Sequence, residues 1–373
     1  MDDLRPHLSV WRVVRTGNRE IIDGLVRPES RGPASDLVAA LGRWPGRWYW
    51  SDDAKTRVVL VRAVRERNPR WVLHILLFML TLLCSMGAGA VLLGGWSPES
   101  GSGLLGSVLA AGQYFVGIAL GDWRELLPGW AFAVPLLAIL LVHELGHYLA
   151  ARRYAIEASL PYFLPVPPTV SPIGSLGAFI RLRSPVVDRR QLMDVGAAGP
   201  LAGFAVALLV LAWGYSTSER IPIVLGSAPS YVALSGYRVF LGESLLTGWL
   251  RDLILPGTGA VHLSAPAFAG WVGMFVTSLN LIPLNQFDGG HIVYSLVSKH
   301  QRWAGYLTVA VLIWLAQASA MWYVWLGLAL LVGRGRVGHP PVLLETSHLS
   351  RSRWAMGIIS VLVLIVTFVR RPF

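Results

Sequence analysis

The chain has little cysteine, little lysine and little charge of either sign. Its single cysteine, Cys84, has no second thiol to pair with, so an intramolecular disulfide and a cysteine-based zinc site are excluded. Lysine occurs only at Lys55 and Lys299, and arginine supplies the rest of the 32 basic residues. The excess positive charge is better explained by loops that face anionic lipid than by nucleic acid, so we expect no nucleic-acid partner.

What the chain has in excess is apolar sequence. Hydrophobic residues make up 54% of its 373 positions, and charged residues only 14%. Apolar runs of about 20 residues are long enough to cross a bilayer, so the chain is predicted to be an α-helical polytopic membrane protein. The net charge of +11 fits loops that face anionic lipid, which makes the bilayer itself an expected partner.

Apolar runs divide the chain into a soluble α/β domain, residues 1–66, and a membrane-embedded domain, residues 67–373. A helix at 35–41 and strands at 48–50 and 57–64 are predicted in the first part. We expect six to eight membrane segments in the second. They fall at 71–93, 106–120, 130–150, 195–213, 265–282, 303–332 and 354–369. The run 106–120 also fits a half-inserted hairpin or surface helix, and 303–332 fits one tilted span or two short ones broken near 317–320.

The run 130–150 carries His143-Glu144-Leu145-Gly146-His147, an H-E-x-x-H pattern. Residues four apart share a helix face, so both imidazoles can bind one Zn²⁺, with Glu144 beside them as general base. In a soluble helix the same pattern is often a surface histidine pair. Ionisable groups inside an apolar span are costly, however, and usually functional.

A catalytic zinc site needs a third protein ligand, and Asp288 is the best candidate. It follows the run 265–282, and Gly289 and Gly290 free the backbone after it. Helix capping by Asp288 is the structural alternative. Asn280, one turn before Pro283, is predicted to hold the substrate carbonyl or oxyanion, or else to satisfy carbonyls that the proline frees.

Prolines between 160 and 183 forbid a helix there, although the stretch is apolar. We expect an extended β-hairpin or re-entrant element beside the metal, with a plain connecting loop as the alternative. The substrate-binding residues predicted are Gly174, Gly177, Phe179 and Pro283. Gly199 and Gly203 have the spacing of close helix packing, which by itself explains them. His291 is either a partner of the metal site or an ordinary interfacial histidine.

These motifs together resemble the site-2 protease family of intramembrane zinc metalloproteases, in its branch without a PDZ domain. The resemblance covers about residues 70–373 and includes Asn280, Pro283 and the Asp288-Gly-Gly-His turn. It implies that His143, His147 and Asp288 bind one zinc ion, that Glu144 is the base, and that Asn280 assists. Phe287 departs from the family, where leucine usually precedes Asp-Gly.

The resemblance implies an intramembrane zinc endopeptidase whose substrate is itself a transmembrane protein. The expected location is a prokaryotic cell (inner) membrane, with the N-terminus cytoplasmic because Arg65, Arg67 and Arg70 precede the first span. A metal or solute transporter and a proteolytically silent scaffold are the competing classes. The sequence fixes neither the substrate nor the oligomeric state.

Overall fold

Helices dominate the described part of the chain, which also contains three small sheets. The computed structural model describes residues 3–16, 19–31, 36–52, 54–63, 70–93, 113, 115–118, 120–154, 156–183, 186–221, 230–234, 237–342 and 348–372. The α-helices of these residues, α1 to α10, are Asp36–Gly42, Trp71–Leu92, Trp130–Arg153, Arg189–Ser216, Leu245–Ile254, Ala265–Asn280, Asp288–Val297, Gln301–Ala316, Met321–Val332 and Arg351–Thr367. The strands, β1 to β10, are Leu8–Thr16, Arg19–Val26, Arg47–Trp50, Arg57–Ala63, Tyr162–Pro165, Ser175–Phe179, Glu219–Ile221, Ser230–Leu234, Tyr237–Leu241 and Ala260–His262.

The N-terminal part is a four-stranded antiparallel sheet, ordered β1-β2-β4-β3, with α1 on one face. Successive side chains of a strand point to opposite faces. Leu60 of β4 therefore packs with Leu37 under α1, whereas Val59 and Val61 pack on the other face against Val187, just before α4. The face of the sheet opposite α1 therefore packs on the residues that immediately precede α4.

The predicted N-terminal helix and two strands are confirmed over the described residues; Ser35 and Val64 lie outside them. The hairpin of β1 and β2 was missed, because charged residues interrupt its apolar alternation. The division at residue 66 stays a prediction.

Three helices of the described residues are long and apolar enough to span a membrane: Trp71–Leu92, Trp123–Arg153 and Arg189–Ser216. The runs predicted at 265–282, 303–332 and 354–369 also form helices, but shorter ones, so the count of six to eight segments is not confirmed. The run 303–332 forms two helices separated at 317–320, one of the two alternatives expected. Of the run 106–120, residues 106–112, 114 and 119 lie outside the described residues.

Helices α3, α4 and α6 pack closely because small residues lie where they meet. A Cβ on Gly146 would come within 2.5 Å of the Ala198 carbonyl oxygen, and one on Gly270 within 2.6 Å of the Leu211 backbone. Real Cβ contacts are longer than this, so the two backbones touch where the glycines lie. This packing fixes the position of α4 against the H-E-x-x-H helix.

Strands β5 and β6 form the antiparallel hairpin expected between 160 and 183. Helix α2 holds it: the His74 Nδ1 donates to the Pro161 carbonyl at 3.0 Å, and the Phe78 ring meets the Phe163 ring edge-on at 5.1 Å. Gly174, at φ +72°, lies so close to the Cys84 carbonyl that a Cβ would be 2.4 Å from its oxygen. Gly174 therefore serves the docking of the hairpin on α2.

The described residues between 219 and 262 form a second four-stranded sheet, ordered β7-β10-β8-β9, and the surface helix α5. The helix was predicted near Ser244, whose side chain caps it by accepting from the Thr247 backbone N–H at 3.2 Å. The sheet was not predicted. Its strands are three to five residues long, too short to show a clear alternation.

Candidate metal centre

Helix α3 brings His143 and His147 onto one face, as the four-residue spacing requires. Their Nε2 atoms lie 3.1 Å apart, and both side chains are buried. Two imidazoles with facing nitrogens inside the helix packing need either a shared proton or a cation between them. The pair therefore forms two corners of a candidate metal site.

Asp288 supplies the third candidate ligand, and it comes from a different helix. It is the first residue of α7, and its Oδ2 lies 3.3 Å from the Nε2 of both His143 and His147. In a tetrahedral zinc site, ligand bonds of about 2.0–2.2 Å place the donor atoms roughly 3.3–3.5 Å apart. The three donors thus have the mutual spacing of ligands on one zinc ion.

The tautomer of His147 is set by a backbone carbonyl. Its Nδ1 lies 2.7 Å from the Val195 oxygen, which can only accept, so Nδ1 carries the proton and Nε2 presents a lone pair. Zinc-binding histidines usually donate their second N–H to such an acceptor. The residues present therefore fit a zinc ion, which Nε2 of His143, Nε2 of His147 and the Asp288 carboxylate would bind.

Two glycines of α4 make room for this cluster. A Cβ on Gly199 would lie 2.1 Å from the His147 Nε2, and one on Gly203 would lie 3.0 Å from the His143 Cβ. The backbone of α4 therefore lies directly against both imidazoles. From the sequence, these glycines were predicted to allow close helix packing. In the structure, the two histidines occupy the space next to the glycines.

A cavity of about 240 Å³ opens on the three predicted ligands. Glu144 and Asn280 line it, and the Asn280 Nδ2 lies 3.4 Å from the His143 Nε2. The hairpin closes one side with Ala178, Phe179 and Ile180. The cavity thus joins the candidate metal centre, an acidic side chain, an amide donor and an extended strand.

Of the four residues predicted to bind substrate, only Phe179 is among the described residues that line the cavity. Gly174 lies against α2, and Gly177 is in β6, where a Cβ would have no atom within 4 Å. The Pro283 carbonyl accepts a hydrogen bond from the Gln301 Nε2 at 3.1 Å. Pro283 therefore shapes the turn between α6 and α7, from which Asp288 follows.

Three residues beside the centre were missed by sequence reasoning: Val195, Gln286 and His339. His291 lines the cavity, and its Nδ1 lies 2.8 Å from the His339 Nε2. His339 packs on the Tyr294 ring at 4.5 Å between centroids. The sequence offers one local signal for this contact, the stretch Gly338-His339-Pro340-Pro341, and the contact joins residues 48 positions apart.

The fold and site define a class: a helical membrane protein with a candidate metal centre of two histidines and one carboxylate, beside a glutamate. Comparison with protein families agrees with this class, because residues 131–323 match the family described as peptidase family M50. The chain belongs to that family, which is the site-2 protease family.

Among curated proteins, the chain is 29% identical over 329 residues to the probable zinc metalloprotease EGY1, chloroplastic, of Oryza sativa subsp. japonica, covering 83% of this chain and 53% of that protein. It is 29% identical over 254 residues to the probable zinc metalloprotease EGY2, chloroplastic, of Arabidopsis thaliana, covering 67% and 43%. The chain spans about half the length of these relatives. No solved structure matches it.

The named relatives are plant chloroplast proteins, and they give no support to the expected prokaryotic location. That location, and the cytoplasmic side of the N-terminus, stay predictions.

Proposed function

We propose that the protein is a zinc metalloendopeptidase that cleaves membrane proteins within or near their transmembrane segments. The observation that carries the proposal is the meeting of His143, His147 and Asp288, from α3 and α7, within 3.3 Å of one another in the apolar helix packing. Membership of peptidase family M50 supports the same chemistry.

Different residues of the chain are proposed to take part in different steps of peptide hydrolysis. His143, His147 and Asp288 would hold the zinc ion, which when bound would supply the Lewis acidity that makes water nucleophilic near neutral pH. Glu144 faces the same cavity, takes the proton from the attacking water and returns it to the leaving amine. Burial of the histidines and Glu144 keeps bulk water out, which strengthens each of these polar interactions.

Asn280 is proposed to donate to the substrate carbonyl oxygen as negative charge develops there. Its alternative role, satisfying a carbonyl freed by Pro283, is filled by the backbone. Pro283 cannot bond the Leu279 carbonyl, and the Ile282 N–H donates to that oxygen at 3.3 Å. The Asn280 amide is then available to the cavity, where it lies 3.4 Å from the His143 Nε2.

The substrate helix must unwind before it can react, because its carbonyls are hydrogen-bonded within the helix. We propose that the unwound segment pairs with β6. In the described chain this strand has one neighbour, β5, and its C-terminal end lies at the cavity. An extended segment added to a free strand edge gains main-chain hydrogen bonds, which offset part of the cost of unwinding.

Phe179 of β6 lines the cavity, so Phe179→Ala is expected to lower kcat/KM roughly 10-fold, through loss of about 1.4 kcal/mol of substrate contact. Gly177 adopts φ +98°, and Gly177→Ala is expected to lower turnover by straining the strand. Zinc content should not change in either variant.

Leu176→Ala is the matched control for the strand. Leu176 lies in the same strand, 70% exposed and away from the cavity, so this change should leave kcat/KM near the wild-type value. Equal effects of the Leu176 and Phe179 changes would contradict a role of β6 in substrate binding. Unchanged turnover in both the Gly177 and the Phe179 variants would contradict it as well.

Metal removal tests the proposed function directly. Purified protein in detergent should cleave a single-span substrate whose helix contains glycine or proline, since such a helix unwinds easily. A chelator should abolish cleavage, and stoichiometric zinc should restore it; zinc is measured by elemental analysis. Transport into proteoliposomes without cleavage would identify a carrier instead, and binding of membrane proteins with neither activity would identify a scaffold.

A further inference from the structure

Two neighbouring cavities lie where the N-terminal sheet meets the ends of the membrane helices. The first, which we call the junction cavity, measures about 370 Å³. The second, the interhelix cavity, measures about 400 Å³ and lies between α3, α4 and α10. Arg153, Tyr154 and Arg353 line both, so the two spaces are in contact. Neither one includes the candidate metal ligands.

The junction cavity is positively charged. Its cations are Lys55, Arg153, Arg190 and Arg353, against the carboxylates Asp52 and Asp188. Asp52 is engaged in its own turn, where it accepts from the Thr56 N–H at 2.7 Å. Asp188 caps α4 by accepting from the Gln191 N–H at 2.9 Å. Both carboxylates are thus satisfied locally, and the excess positive charge faces the cavity.

Two of these cations are available to a ligand. Arg353 is held by Asp194 at 2.8 Å, and the Arg190 Nε donates to the His348 carbonyl at 2.8 Å. Arg153 and Lys55 are exposed, and neither side chain has a hydrogen bond or ion pair with another residue that the structure describes. An anion between them would gain two charge-assisted contacts without breaking existing ones.

The interhelix cavity adds three apolar side chains, one from each of three helices, to a polar lining that includes Ser352 and Asp194, the latter paired with Arg353 at 2.8 Å. Ala150 belongs to α3, Ala198 to α4 and Met356 to α10. Helices α3 and α4 are two of the helices long and apolar enough to span a membrane. Ala150 lies in the last turn of α3 and Met356 in the second turn of α10, so the cavity runs from the charged helix ends along the start of the apolar helix surfaces.

The helix ends also place the charged region at headgroup level. Arg153 is the last residue of α3, Asp188 caps the start of α4, and Arg353 lies in the first turn of α10. All three line the junction cavity, so these helix ends lie at the same membrane face. Lipid phosphates occupy this level of a bilayer, just outside the hydrocarbon core.

We propose that these cavities form one binding site for an anionic phospholipid. The phosphate lies between Arg153 and Lys55, and an acyl chain lies along Ala150, Ala198 and Met356. A free phosphate would match the cations but would leave the apolar half empty, which is why the pair of cavities favours a lipid. The site does not depend on the peptidase function.

The lipid would join the N-terminal sheet to the helix that carries the two histidines. Lys55 belongs to the turn between β3 and β4, and Arg153 ends α3. Direct contact between these parts also occurs nearby, where the Tyr49 and Tyr154 rings meet edge-on at 5.5 Å. A bound phosphate adds a second contact between sheet and helix, one that depends on the lipid composition.

Lipid binding to the delipidated full-length protein tests this site, with native mass spectrometry counting bound lipids. The probes are phosphatidylglycerol, phosphatidylcholine and glycerol phosphate, the last of which has the phosphate without acyl chains. Phosphatidylglycerol is expected to bind best and to raise the Tm. Each basic residue near a membrane surface contributes about fivefold to the binding of anionic lipid, so Lys55→Gln with Arg153→Gln should weaken it roughly 25-fold.

Arg152→Gln is the matched control. Arg152 is exposed at the same helix end, but its Nη1 donates to the Tyr148 hydroxyl at 3.2 Å and it lines neither cavity. Its loss should leave phosphatidylglycerol binding within twofold of wild type. Equal weakening by Arg152→Gln would show diffuse surface attraction, equal binding of glycerol phosphate would show a soluble-anion site, and equal binding of phosphatidylcholine would show no charge recognition. Each of these results overturns the proposal.

Discussion

Glu144→Gln is expected to lower cleavage by 10²- to 10⁴-fold while zinc content stays at the wild-type level. Glu144 lines the cavity beside the three predicted ligands but belongs to none of the close contacts among them. Glutamine keeps the size and most of the polarity of glutamate but cannot take a proton from water. Loss of a positioned general base has an effect of this size. The measurement is single-turnover cleavage of a membrane substrate together with elemental analysis for zinc.

The paired zinc measurement makes the experiment specific to the proposed role. Glu157→Gln is a suitable control, since Glu157 lies beyond α3, away from the cavity, in an ion pair with Arg183 at 3.5 Å. It should cleave as the wild type does. If Glu144→Gln cleaved at the wild-type rate with a full complement of zinc, the base would have to be another group. If it lost zinc, Glu144 would act as a ligand.

Gly199→Ala is expected to weaken zinc binding 10- to 100-fold or more and to lower cleavage in proportion. The added Cβ would lie 2.1 Å from the His147 Nε2, whereas ordinary carbon–nitrogen contacts exceed 3.4 Å. The imidazole or α4 must therefore move by more than 1 Å, which takes a ligand atom off its position. Changes that only misorient metal ligands already cost this much affinity. The measurement is a competitive zinc titration with a chelating dye.

Two controls separate a damaged centre from a damaged fold. Gly327→Ala in α9 adds the same methyl group where nothing lies within 4 Å, and it should bind zinc normally. Excess zinc should recover part of the cleavage of Gly199→Ala but none of that of Glu144→Gln. Wild-type zinc affinity in Gly199→Ala would mean that His147 is not a ligand in the arrangement described.

The parts of the site that are close in sequence were predictable from it. The spacing of His143 and His147 requires no knowledge of the fold, because a helix places such residues together whatever surrounds it. Prolines between 160 and 183 excluded a helix, and the apolar remainder of that stretch predicted the hairpin of β5 and β6. The length of the run 303–332 allowed one tilted span or two short ones, and the structure has two helices separated at 317–320.

Other features were beyond the reach of sequence patterns, because they depend on contacts between distant residues. The β1–β2 hairpin lacks a clean alternation, since Glu20 forms ion pairs with Arg15 and Arg62 across the sheet. The sequence placed Gly174 with the substrate, whereas packing on α2 explains it. The number of membrane segments also stays unconfirmed, because helices such as α8 and α9 are individually short.

By itself, the sequence determined one helix that presents His143 and His147 on the same face, and it offered Asp288 as the candidate third ligand. Local rules suffice for this, because the helical repeat fixes which side chains share a face. The tertiary structure alone decided that Asp288 lies 3.3 Å from both imidazoles, that the Val195 carbonyl sets the His147 tautomer, and that Gly199 leaves room for that ring. Those relations join separate helices, and only the packing of α3, α4 and α7 sets the distances between them.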